Sequence, residues 1–113
     1  MRLVDSPIAL KDLVVMAESG FGNLVKAVVD VKREIMAIDA ELHSDEEALL
    51  LEDGSRQAHL WGINIYPDLA ANERIEFDSM INIRPSQGNR SRGVDDPAIR
   101  AMILRIVDAL VAP

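Results

Sequence analysis

One apolar stripe late in the sequence constrains the fold more than any other feature. After Asp96-Pro97, the residues Ile99, Met102, Ile103, Ile106, Val107 and Leu110 recur at spacings of three and four. That spacing puts them on one side of an α-helix. Asp96 offers a capping oxygen, and Pro97 suits the first helical position. Such a helix gains most of its stability by packing its apolar side on something else, so other segments must supply that surface. A second periodicity supplies a sheet. From Ile75 to Arg84 the chain alternates, with Ile75, Phe77, Ser79, Ile81 and Ile83 on one side. Glu76, Asp78, Met80, Asn82 and Arg84 fall on the other. The pattern predicts a strand over 75–84, ended by Pro85.

The remaining segments fill in an α+β layout. Leu3-Val4 suits a short first strand. Ser6 and Pro7 predict the cap and first turn of a helix through Leu10, Leu13, Val14 and Ala17, stopping at Gly20. Leu24–Val31 and Glu34–Leu42 form a predicted hairpin joined at Lys32-Arg33. Ser44 and Glu47 have capping-box spacing, ahead of a short helix through Leu49, Leu50 and Leu51 to Gly54. Leu60–Tyr66 is a further strand, stopped by Pro67. The expectation is one domain over residues 1–113: a mainly antiparallel four-stranded sheet with about three helices packed on one face.

Composition bounds the chemistry. Aromatic residues are 4% of a chain that is 49% hydrophobic, so aliphatic side chains must fill the core. With no cysteine, disulfides and thiolate metal sites are excluded. The first residues lack a signal-peptide pattern, and no apolar run approaches the roughly 20 residues of a membrane span. A soluble cytoplasmic protein is expected. A net charge of −7 argues against nucleic acid as a partner, because phosphate neutralisation drives that binding.

Against that acidic background, residues 84–93 stand out. Arg84, Arg90 and Arg92 fall in a stretch without an acid, alongside Gln87, Asn89 and two glycines. Guanidinium forks match carboxylate and phosphate, and turn amides can add an anion nest. The stretch is neither a P-loop nor a dinucleotide fingerprint. The expected ligand-binding set is Arg84, Arg90, Arg92, Asn82, Gln87, Asn89 and Asn64, holding an anionic small molecule at the sheet end. If polar strand residues share a face, Asp39, Glu41, Asn64, Asp78, Asn82 and Arg84 gather there; Asp78 or Asp39 is then the candidate acid–base group. Two internal competitors stay open. Asp95 and Asp96, or the acidic stretch Asp45–Asp53, could take the arginines instead. If the acidic stretch belongs to a partner or a second subunit rather than the same chain, the domain is a protein-interaction or homo-oligomeric (homodimeric) module. His43 and His59 lack metal-motif spacing, so no metal and no cofactor are expected. Trp61 is read as packing.

Three motifs carry a resemblance. They are Glu41-Leu42-His43-x-Asp45-Glu46, Leu60-Trp61-Gly62-Ile63-Asn64 and the run Glu76-Phe77-Asp78-Ser79-Met80-Ile81-Asn82-Ile83-Arg84-Pro85-Ser86-Gln87-Gly88-Asn89-Arg90-Ser91, the last long enough to be distinctive. Over nearly its whole length the chain resembles a small bacterial family classed as a domain of unknown function. The resemblance implies a free-standing single domain and no particular activity.

Overall fold

The centre of the structure is a strand that is apolar on both sides. In this computed structural model, which describes residues 1–113, β3 (Val25–Asp30) follows β1 (Arg2–Val4), β2 (Ile8–Ala9) and α1 (Leu10–Ser19). Val25, Ala27 and Val29 point to one face and Val28 to the other, all buried. β4 (Ile35–Ile38) splits in the same way, with Met36 and Ile38 on the first face and Ile35 and Ala37 on the second. β5 (Leu60–Ile65) sends Trp61, Ile63 and Ile65 to the first face and Leu60 to the second. With β6 (Ile75–Glu76), the antiparallel order is β1-β4-β3-β5-β6.

Two apolar faces require two covers. α1 and α3 (Pro97–Leu110) cover the first, burying Leu13, Ala17, Ile103, Ile106, Val107 and Leu110. α2 (His43–Glu52) covers the second through Leu50, with Leu49 beside it. The class is α+β with an antiparallel sheet, as expected. The sheet has five strands rather than four, and the helices lie on both faces rather than one. Leu3, Val28, Ala37 and Leu60 make the second face apolar enough to need its own helix. The apolar stripe at 99–110 does form α3, and Asp96 Oδ1 caps it by accepting the Ala98 N–H at 2.8 Å.

Local differences from the sequence reading have specific causes. Pro7 does not open α1: Ile8 and Ala9 are taken up as β2, paired in parallel with β7 (Val111–Ala112), so the helix starts at Leu10. The hairpin turn spans 31–34 rather than Lys32-Arg33, because Asp30 Oδ1 accepts the N–H groups of both Lys32 and Arg33. β4 ends at Ile38, where Asp39 enters left-handed space at φ 66°. Ser44 and Glu47 form no capping box, since α2 is already helical at His43. Glu46 reaches back instead, its Oε2 accepting the Ala40 N–H at 3.0 Å.

The largest difference is the predicted strand at 75–84, of which only Ile75–Glu76 pairs. Beyond it the chain folds into a 3-10 turn at Met80–Asn82, capped by Ser79 Oγ on the Ile81 N–H. Gly62 explains the departure. A Cβ there would sit 2.5 Å from Ser79 Cβ and Oγ, so the turn packs onto bare β5 backbone.

Candidate functional site

Gly62 is also where the arginine-rich segment begins its work. Before Asn64, β5 has no strand on its outer edge, so its N–H and C=O groups need other partners. Side chains supply them. Asn82 Oδ1 accepts the Gly62 N–H at 2.8 Å, and its Nδ2 donates to Gly62 O at 3.0 Å, as a neighbouring peptide would. The Arg84 fork donates to the carbonyls of Leu60 and Gln57 and lies 4.1 Å from the centre of the Trp61 ring. Gln87 Nε2 donates to Ala58 O at 3.1 Å. Asn82, Arg84 and Gln87 thus line the edge from 57 to 62 as a strand made of side chains. Burial lowers the Arg84 pKa below its ordinary value.

Asn89 holds the far end of this loop. Its Nδ2 donates to the carbonyls of Asn82 and Gly93 at 2.8 and 2.9 Å, and its Oδ1 accepts the Asp95 N–H at 2.8 Å. Arg84 and Asn89 exchange backbone bonds across a turn that Gly88 closes at φ 80°. Asp95 accepts the Ser91 hydroxyl at 2.6 Å and the Arg90 N–H at 3.1 Å, and these donors lower its carboxyl pKa.

The three guanidinium groups therefore diverge. Arg84 turns inward to β5, and Arg92 donates Nε–H to Asp78 Oδ1 at 2.6 Å. Arg90 is exposed and makes no ion pair. Asp96 caps α3, and Asp53 of the acidic stretch pairs with Arg33 at 2.7 Å. Of the residues expected to bind ligand, Asn82, Arg84, Gln87 and Asn89 spend their polar groups on the fold. The expected shared polar face also breaks up. Asp39 and Glu41 border a separate shallow depression with Asp45 and Glu52, leaving Asp78 and Asn64 together elsewhere.

Asp78, Asn64 and Arg92 meet in a cavity of about 290 Å³ on the second face, where α2 begins. β3 contributes Lys26, directly opposite Asn64 in the strand register. The start of α2 contributes His43 and Ser44; Ser79 lies behind Asp78, and Leu42, Met80 and Ile81 form an apolar rim. Lys26 has no carboxylate partner and sits 5.2 Å from the Phe21 ring centre. Asn64 Nδ2 donates to Glu76 Oε1 at 2.8 Å. His43 Nε2 lies 2.7 Å from Ile63 O; a carbonyl only accepts, so Nε2 carries the proton and Nδ1 the lone pair. Burial lowers the His43 pKa, which keeps the ring neutral near pH 7.

Glu46 lies one helical turn further along α2 and is fully buried. Its Oε1 has no partner, and burial pushes its pKa up to about 9, so it is a neutral acid. A larger cleft of about 480 Å³ runs between α3 and residues 71–75; its walls mix aliphatic residues with Asn72, Arg74, Arg105 and Asp108, and Arg105 is already paired with Glu34. The 290 Å³ cavity instead brings Lys26, His43, Asn64, Asp78 and Arg92 together. Sequence reasoning missed Lys26, Ser44 and Ser79 and passed over His43, because Lys26 meets Asn64 only through pairing of two strands far apart in sequence, which no local pattern reveals.

No helix is long and apolar enough to cross a membrane. Neither the curated proteins nor the solved structures contain a significant match to the chain. A family model does match residues 2–110, all but the two ends, and the chain therefore belongs to the protein family of unknown function DUF5674.

Proposed function

We propose that this protein binds a small anionic molecule, a carboxylate or phosphate, in the cavity between the start of α2 and residues 78–81. One observation carries the reading: the cavity holds two cations that the fold leaves underused. Lys26 has no ion pair, and Arg92 engages only Nε, so both terminal amino groups of its fork remain without a partner. A guanidinium fork with two free donors matches two oxygens of one anion. Asn82, Arg84, Gln87 and Asn89 contribute by holding the loop that delivers Arg92, rather than by touching ligand. Asp78 orients Arg92 and is the acid–base candidate inside the cavity.

Thermal unfolding with sodium phosphate or acetate, at fixed ionic strength, tests this. Ligand at about a hundred times its Kd stabilises by roughly 2.7 kcal/mol. The shift should vanish in Arg92→Gln combined with Lys26→Gln. An equal shift in that variant would sink the reading.

A second reading rests on Arg90, which is exposed and unpaired in an acidic protein. A second copy could set it against the depression bordered by Asp39, Glu41, Asp45 and Glu52. Sedimentation should then show a concentration-dependent dimer that Arg90→Glu abolishes. A monomer at all concentrations rejects it.

A further inference from the structure

Acceptors in the same cavity narrow the ligand further than its cations do. Asp78 Oδ1 receives Arg92 Nε–H, while Oδ2 accepts nothing within the fold. The Nδ1 lone pair of His43 meets no donor, because the ring spends Nε2–H on Ile63 O. Asn64 is the third. Its Nδ2 faces two acceptors, Glu76 Oε1 and Asp78 O, which fixes the orientation of the amide. Oδ1 is thereby left buried without a partner, in a residue that is only 7% exposed. A buried acceptor without a donor is costly, and the residue that carries this one lines the cavity.

Phosphate dianion or acetate answers the cations and nothing else. It brings no N–H or O–H to Asn64, His43 or Asp78, and it sets its own charge against the Asp78 carboxylate. A molecule with a donor next to its anionic group answers both sets at once. Resting on the anion-site reading above, we infer that the cavity takes a compact bipolar ligand: a small acid carrying an amino or hydroxyl group beside its anionic group. Arg92 and Lys26 hold the anionic end. Asp78 takes an ammonium, or His43 and Asn64 take a hydroxyl. The size of the cavity, about 290 Å³, suits a ligand of a few heavy atoms with any short apolar branch lying towards Leu42 and Met80.

Propionate, lactate and alanine test this with the full chain, since they differ only in the group next to the carboxylate. Backbone amide NMR titrations would give a Kd for each. At least a tenfold tighter Kd for alanine or lactate than for propionate is expected, with shifts at Ser44, Asn64 and Arg92. If alanine is the tighter ligand, Asp78→Asn should bring it to the propionate level. A lactate preference that survives Asp78→Asn assigns a hydroxyl to His43 and Asn64. Equal Kd values for the three acids at this cavity would overturn the bipolar class while leaving the anion site standing. No binding by any of them at tens of millimolar would overturn both.

Discussion

Replacing Glu46 with glutamine should shift stability in favour of the variant progressively as pH rises. Glu46 is fully buried on α2, its Oε2 is bonded to the Ala40 N–H, and its pKa rises from 4.5 to about 9, chiefly through burial. The unfolded chain ionises Glu46 near pH 4.5, whereas the folded chain keeps it protonated. Its contribution to stability is thus fully present below pH 4.5 and is lost as pH rises towards 9. Each pH unit in that window removes about 1.4 kcal/mol. By pH 7 the loss is about 3 kcal/mol, an upper figure because relaxation around a buried charge reduces it. Glutamine keeps an oxygen for Ala40 and never ionises. Its NH2 adds an unmatched buried donor, a pH-independent cost of roughly 1–3 kcal/mol. Urea unfolding of both proteins at pH 5, 6, 7 and 8 separates the two effects, because only the slope against pH reports ionisation. The gap should move in favour of the variant by about 1 kcal/mol per unit. A gap that is constant with pH would refute the claim that Glu46 is buried as a neutral acid.

Other consequences follow from the β5 edge and the imidazole. Asn82→Ala removes both Gly62 bonds and leaves a buried N–H and C=O bare; a loss of roughly 2–4 kcal/mol in urea unfolding is expected. Gly62→Ala drives a Cβ to 2.5 Å from Ser79, costing about 1–3 kcal/mol, and Ser79→Gly in the same chain should recover part of it. Arg84→Lys keeps the charge but loses the two-carbonyl fork, at about 1–3 kcal/mol, while Arg90→Ala stays within about 0.5 kcal/mol; equal effects would contradict their different placements. Long-range ¹H–¹⁵N spectra of His43 should show the Nε2–H tautomer, with a pKa below 6.5.

Residues that do one job in one place were legible in the sequence. The α3 stripe, its Asp96 cap, the strand starting at Leu60 and the packing role of Trp61 are local patterns, and the structure keeps them. Patterns that needed a partner were not. The alternation at 75–84 is real, but Gly62 lets a turn and the Asn82 amide replace the missing ladder. The arginine stretch looked like a single site because its residues are adjacent in sequence. Arg84 and Arg92 instead point to opposite ends of β5, where one closes a sheet edge and the other borders a cavity. Lys26 gave no signal at all: it is an ordinary lysine in a valine-rich strand until the register sets it against Asn64.

The most direct measurement is an amide-resolved NMR titration of the intact chain with sodium phosphate at constant ionic strength. The account predicts saturable shifts gathered at His43, Ser44, Asn64, Ser79 and Arg92, with residues 84–90 unmoved. Shifts centred on residues 84–90, or none that saturate, would contradict the assignment of the site to this cavity.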